Sequence, residues 1–479
     1  MRARLVPVVA AAAALLVAAS ASADTITVRK QHDGGRGSLR RALKRADPGD
    51  VIRVPAGKFS LTRGELRITK SLTVDGAGPG RTVIDAGRAS RVFEVTAPGA
   101  EVALGGLAVQ HGKAVHGGGI LNAGDLTLRH VSVRHNIAAG TPGQPKGGGI
   151  ASSGDLTLNQ SAVTENRAKT ENGFGGGIAA PPVPTSGGPA GSVSIVRSSI
   201  SGNEAAGAGG LIYDPVDPPG DRAVKIRKST FADNVADRGQ SAGNSVGGAL
   251  YFSVVVNSGS PEISLSVTRT TFAHNVAVAG GQGVGGAMLY EAIANSAATF
   301  PLELVNDTFA GNRAGDSNVG GIAGALFLLG GFNDGSSSTQ TLNSLTIARN
   351  RATGSSGLGG GLLFEESGSF AAVFRNTIVA KNHAANGPDC GGSTPSGGHN
   401  LEGGTSCDFT SGGDLQNTDP LLGRLAHNGG PTKTLALLSG SPAIGAGGDA
   451  TCPPTDQRGV HRPQGPHCDI GAFERKRHR

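Results

Sequence analysis

Through the middle of the chain, apolar and polar residues alternate in short runs. Asp125-Leu126-Thr127-Leu128-Arg129 and Asp155-Leu156-Thr157-Leu158-Asn159 are clear examples. Alternation with period two predicts strands that bury one face. Two landmarks bracket these runs. The first is a Gly-Gly pair with a large apolar residue two positions beyond its second Gly. Those second glycines are Gly118, Gly148, Gly176, Gly210, Gly248, Gly286, Gly324 and Gly360, with Ala323 replacing the first Gly of the seventh pair. The apolar partners are Ile120, Ile150, Ile178, Ile212, Leu250, Met288, Leu326 and Leu362. The second landmark is Asn-x-Ala, beginning at Asn136, Asn166, Asn203, Asn234, Asn275, Asn312, Asn350 and Asn382.

The copies recur every 28 to 38 residues with no helical period between them. A repeat of that length built of strands predicts a solenoid. A propeller blade would need four strands in each copy, which the spacing cramps. The expected fold is therefore all-β: a right-handed parallel β-helix of about 11 coils. Equivalent residues of successive coils would stack about 4.8 Å apart. The large apolar position would fill the axis. The Asn side chains would form an amide ladder at a strand-to-strand corner. Leu66–Asp75, Arg81–Val95 and Glu101–Gln110 read as further coils without the Gly pair. Ser38 reads as the N-cap of a short helix, with Leu39, Ala42, Leu43 and Ala46 on its apolar face, and that helix would lid the first coil.

Composition narrows this picture. Of 479 residues 79 are Gly, 25 Pro and none Trp. That disfavours a helix bundle and leaves few aromatics for stacking on sugars. The net charge of +7 is concentrated at the ends: Arg2 and Arg4 at one, Arg475, Lys476, Arg477 and Arg479 at the other. The body between is nearly neutral, so the charge does not point to nucleic acid. Arg2 and Arg4, the apolar run Leu5 to Ala19, and Ala21-Ser22-Ala23 read as an export signal cleaved before Asp24. The run is too short to span a bilayer. Export permits disulfides among Cys390, Cys407, Cys452 and Cys468. Three connectivities are open. Nearest-neighbour pairing is expected, because each such pair encloses one Gly/Pro-rich loop.

Gly247-Gly248-Ala249-Leu250 and Phe272-Ala273-His274-Asn275 resemble the GGA[IL] and FxxN repeats of chlamydial-type polymorphic outer-membrane proteins, which are surface β-helix adhesins. Gly37-Ser38-Leu39-Arg40-Arg41-Ala42-Leu43, then Pro48-Gly49-Asp50 and Val51-Ile52-Arg53-Val54, resemble the start of CSLREA-type, pectate-lyase-like exported β-helix proteins. Asp419-Pro420-Leu421-Leu422, Asn428-Gly429-Gly430-Pro431-Thr432, Gly440-Ser441-Pro442-Ala443-Ile444, Thr455-Asp456-Gln457-Arg458-Gly459 and Cys468-Asp469-Ile470-Gly471-Ala472-Phe473-Glu474 resemble the choice-of-anchor Q-type domain of secreted bacterial proteins. These resemblances imply a secreted or envelope-associated protein. They divide it into an export signal (1–23), an N-terminal cap and opening segment (24–64), the β-helix (65–389), a disulfide-stapled anchor-type domain (390–474) and a basic tail (475–479).

Fold alone does not name a function. A lyase would need clustered carboxylates around a cation plus a base, and a hydrolase a carboxylate pair. The residues before the ladder Asn are His135, Glu165, Gly202, Asp233, His274, Gly311, Arg349 and Lys381. They place His135 beside Glu165 and Asp233 beside His274, but never carboxylates on three successive coils. A solvated ladder of mixed charge is the plainer reading. Asn417-Thr418-Asp419 and Gly398-His399-Asn400 faintly resemble polygalacturonase motifs. Asp456, Arg458, Arg462, Asp469 and Glu474 read as salt-bridged structure. No catalytic, metal or cofactor residue is expected. The expected function is a non-catalytic scaffold or adhesin, with a polysaccharide lyase or glycoside hydrolase as the alternative. The expected partner is a cell-surface glycan or protein, bound by a monomer, with no nucleic acid and no transmembrane segment. One candidate partner surface is an outward apolar stripe: Tyr213, Tyr251, Leu289, Phe327 and Leu363.

Overall fold

The computed structural model describes residues 23–476 except 141–143, 170–171, 182–189, 238–243, 279–280, 319, 333–335, 368–371 and 393. The expected export signal and the end of the basic tail therefore lie almost wholly outside the described residues.

Each coil contributes strands to up to four parallel sheets. In the coil around residue 126, Ile120–Asn122 belongs to sheet I, Asp125–Arg129 to sheet II, Ser132–Arg134 to sheet III and Ile137–Ala138 to sheet IV. The sheets hold 10, 12, 12 and 8 strands respectively, each strand pairing in parallel with its counterpart one coil on, so the chain is a parallel β-helix. The opening segment is already coil. Thr25–Thr27 and Val51–Val54 start sheet II, and Gly57–Ser60 starts sheet III. Helix α1, Leu39–Arg45, buries Leu39, Ala42 and Leu43, and the Ser38 side chain accepts a hydrogen bond from the Arg41 amide.

In-register pairing puts like on like. Phe231 pairs with Phe272, and Phe272 with Phe309. Their rings stack at centroid distances of 5.1 and 4.8 Å. Tyr213, Phe252 and Tyr290 form a second stack at 5.5 and 5.2 Å. Burying each such ring contributes about 1.5–3 kcal/mol. Gly148 is small because two coils nearly touch there: a Cβ would lie 2.3 Å from the Gly176 carbonyl oxygen.

The fourth copy departs from the expected register. Leu211, not Ile212, pairs with Ile178. Ala208 at φ +52° takes the corner held by Gly175 at φ +63° in the preceding coil, which moves the Gly pair along by one. Tyr213 therefore faces the axis and is fully buried. Ile212 takes its place in the outward column. The rest of that column is not an exposed stripe. Leu289, Phe327 and Leu363 are 6%, 9% and 3% exposed, and they cluster with half-buried Tyr251 beneath Val246, Val284, Ile322 and Leu358. Val246, Val284 and Ile322 belong to a small three-stranded sheet (Ser245–Val246, Gly283–Val284, Gly321–Ile322) formed by the loops that lead into these coils. The candidate partner stripe is thus a satellite core.

The coil stack continues beyond Cys390. Leu401–Glu402 adds the last strand to sheet III, and Leu415 bridges to Leu401. Cys390 is bonded to Cys407 and Cys452 to Cys468. From Asp419 onward the chain turns back and lies along the outside of sheet III. It contributes one antiparallel pair, Leu422–Ala426 with Thr434–Leu437.

Candidate functional site

Sheet III is built of strands of mostly three residues, and each central residue, from Val133 to Val379, points to the axis. The residues on either side point outward and are mostly Ser, Thr or Ala. Both corners of the sheet are left-handed single-residue bends. One column is His130, Gln160, Arg197, Lys228, Arg269, Asn306, Ser344 and Asn376, with φ between +48° and +58°. The other is the column before the ladder Asn, from His135 to Lys381. A side chain at such a bend costs backbone energy, and a hydrogen-bonded ladder just inside each corner offsets it.

The Asn ladder runs through all eight positions. The side-chain oxygen of Asn166 accepts from the backbone N–H of Asn136 at 3.0 Å and from its Nδ2 at 2.9 Å. The same pair of bonds recurs through Asn203, Asn234, Asn275, Asn312 and Asn350 to Asn382. The last Asn donates to Asp389 Oδ1 at 2.9 Å. A second ladder lies inside the other corner. The side-chain oxygens of Ser161, Ser198, Ser229, Thr270 and Asp307 each accept the backbone N–H of the preceding coil. Sequence reasoning missed this second ladder. Its signal was a small polar residue five positions before each of those ladder Asn.

The outer face of sheet III has two halves. Downstream, the C-terminal segment covers it. Thr271 Oγ1 donates to the Lys433 carbonyl at 2.6 Å, and Thr308 Oγ1 to Gln457 Oε1 at 2.6 Å. Gln457 Nε2 returns a bond to Thr271 Oγ1 at 2.8 Å. The Ala472 amide donates to Thr346 Oγ1 at 2.9 Å. Arg269 donates to Thr455, and Asn306 Nδ2 to the Thr455 carbonyl at 2.9 Å. All three residues are buried in the strands starting at Thr271, Thr308, Thr346 and Ile378. Upstream, the strands starting at Ser132, Ala162, Ser199 and Thr230 keep both outward residues half-exposed.

These four open coils form the floor of a groove of about 690 Å³. His130, Arg197 and Lys228 stand along one wall, Asp233 and His274 along the other. Leu425, His427, Pro431 and Lys433 close the downstream end, and Pro79 marks the upstream one. Among the described residues, neither Arg197 nor Lys228 has an acidic partner. Burial, then neighbouring Arg269, Arg197 and Arg227, hold the Lys228 ammonium below its usual range. Asp233 is the one carboxylate lining this groove.

The other sequence candidates lie apart. His135 Nδ1 and Glu165 Oε2 meet at 3.0 Å on open surface. His399 Nδ1 contacts the Ala446 carbonyl at 2.9 Å, while Asp419 pairs with Lys381 at 3.0 Å. Asp456 with Arg458, and Arg462 with Glu474, are buried ion pairs that also bind backbone, as expected for structural groups. No group of three or more His, Cys, Asp or Glu placed to hold a metal occurs among the described residues.

A second polar cluster sits on the outer face of sheet I. Lys146 Nζ and Asp214 Oδ2 meet at 2.8 Å, with side chains only 4% and 17% exposed. Burial raises the Asp214 carboxyl to about 6, against the opposing pull of Lys146. Glu291 stands in the same outward column two coils on and accepts from the Tyr251 hydroxyl at 2.9 Å. The Phe174 ring lies 5.5 Å from the Lys146 ammonium. The Lys146–Asp214 pair ties the loop before the second Gly motif to the sheet.

No protein-family model matches the chain, and no curated protein matches it.

Proposed function

We propose that this chain is a non-catalytic, secreted or envelope-associated β-helix scaffold of adhesin type, which binds an extracellular ligand on the open half of sheet III. The observation that carries this reading is the groove: cations without an acidic partner among the described residues stand over outward Ser, Ala and Thr along four coils, with Asp233 as the one carboxylate in its lining. Such a lining suits recognition. Glycoside cleavage needs two carboxylates facing each other across the bond. The two disulfides fit an oxidising compartment, and no helix among the described residues is long and apolar enough to cross a membrane. The resemblances to exported β-helix proteins, surface adhesins and anchor-type domains point the same way.

The test is a glycan array and a polysaccharide-degradation screen on the chain from Asp24 onward. Binding without new reducing or unsaturated ends is expected. Cleavage would overturn the non-catalytic reading. One observation favours a hydrolase instead: Asp214, raised to about 6, shares a column with Glu291. Cleavage abolished by Asp214→Asn would assign the activity to that cluster.

A further inference from the structure

Three Lys–carboxylate pairs stand within ion-pair distance among the described residues. In two of them, Lys58 with Asp85 and Lys381 with Asp419, the lysine is 62% and 37% exposed, so water solvates its ammonium. In the third, Lys146 and Asp214 are both withdrawn from solvent. The buried Arg458 and Arg462 pairs offer a guanidinium, which is a poor nucleophile. We propose that Lys146 and Asp214 form a covalent crosslinking site, at which the Lys146 amine condenses with the Asp214 carboxyl into a side-chain amide and one water is lost. The ion pair is the state before the bond closes. The inference is independent of the binding face on sheet III.

Three features make this pair reactive. One is proximity. Lys146 and Asp214 are 68 residues apart in sequence, yet Nζ lies 2.8 Å from Oδ2. Groups held in reacting geometry behave as if at about 10⁵–10⁸ M. Another is the state of the acid. Asp214 Oδ1 is buried and has no hydrogen-bond partner among the described residues. Burial raises the carboxyl to about 6, so its neutral form is populated near that pH. Passing one proton from the ammonium to the carboxylate discharges both groups, which burial favours. The last is exclusion of water. Lys146 bridges to Phe174 and Phe174 to Gly207, so the Lys146 side chain crosses a whole coil, past the Phe174 ring, to reach Asp214.

The step balances without a further reactant. The neutral amine adds its lone pair to the Asp214 carboxyl carbon, and the N–C bond forms. The C–OH bond then breaks, and its oxygen leaves as water with the acid hydrogen and one amine hydrogen. The product amide ties three successive coils on the outer face of sheet I and pins the loop ahead of the second Gly motif. Once it has closed, no Asp214 carboxyl is left to titrate or to take part in hydrolysis.

The experiment is intact mass spectrometry and tryptic mapping of the chain from Asp24 onward, fresh and after prolonged incubation near the raised Asp214 value of about 6. The mass should fall by that of one water. Trypsin should lose its cut after Lys146, and peptide 135–167 should appear joined to peptide 198–222. Lys146→Arg keeps a cation opposite Asp214 but no amine, so it should keep its full mass and give these peptides unjoined. The pH dependence that a free Asp214 carboxyl gives to stability should fade as the mass falls. An unsubstituted chain that keeps its full mass and releases peptide 135–146 overturns the proposal, whether or not the variant folds. Loss of water mapped to any other pair of residues overturns it too.

Discussion

The coil stack and the C-terminal segment bury their polar groups in opposite ways. In the stack each burden is small and repeated. Every ladder Asn from Asn166 to Asn350 makes the bonds its neighbours make, and every ring in the Phe231–Phe272–Phe309 column meets a ring like itself. The C-terminal segment repeats nothing. Its order depends on a few buried charged groups. The Arg462 and Glu474 side chains are both 0% exposed, and Arg462 also donates to the Asp469 and Gly471 carbonyls at 2.6 Å. Losing one member of a repeated series should therefore cost little beyond that member, whereas losing one hub should release a whole segment.

Arg462→Ala is the sharpest way to break this contrast. Removing one partner of a buried pair costs about 3–5 kcal/mol. Limited proteolysis should then cut within 419–474 while the strand signal in circular dichroism persists. Equal resistance to proteolysis would mean the segment is not held by this hub. Next in size is Cys452→Ser with Cys468→Ser. Opening that loop should cost about 3 kcal/mol in the chain-entropy model, read as earlier release of the same segment in a urea titration. Removing the Cys390–Cys407 bond should instead loosen the end of the stack.

Asn275→Leu tests the other side of the contrast. Unsatisfied groups on Asn234 and near Asn312 should cost about 1–3 kcal/mol, spread over one corner. Hydrogen exchange should quicken in the adjacent coils and stay unchanged near Val133. Loss of protection along the whole stack would show that the coils are less independent than their repetition suggests.

The smallest expected effect is a pH dependence. Asp214 is raised from 3.8 to about 6 in the folded chain. The folded state thus holds its proton to higher pH than the unfolded state does, so this group's contribution to stability falls as pH rises from about 4 to about 6 and is level above. Asp214→Asn should remove that slope from a series of urea titrations. Asp469 and Glu474, also raised by burial, should leave a residual slope of the same sign.

How much of this was legible in the sequence follows from the same contrast. The repeat, the axial residues and the Asn ladder could be read because each feature occurs many times at a set spacing. Reading failed where a copy departed from the set. Ala208 standing for Gly moved Tyr213 from the outward to the inward column. The basic corner was overlooked although His130, Arg197 and Lys228 all stand six residues before a ladder Asn. The residue directly before each ladder Asn, where acid and His pairs fall, lies at the opposite corner. The docking of the C-terminal segment was not legible at all. Gln457 meets Thr308 across 149 residues of chain, and no local pattern encodes that contact. The groove, which exists because that segment stops at Thr271, was equally hidden.

The ladder also sets how this molecule could change length over evolutionary time. Its hydrogen bonds run one way, each amide oxygen serving the coil before it. A gene duplication that inserts one whole coil between Asn275 and Asn312 would leave every donor with an acceptor. At the downstream end Asp389 stands where a ninth Asn would, and its carboxylate has no amide hydrogen with which to continue the chain. Growth is open in the middle and closed at that end, so relatives of this protein should differ in the number of coils between Asn136 and Asn382 while keeping an acceptor-only residue as the final member.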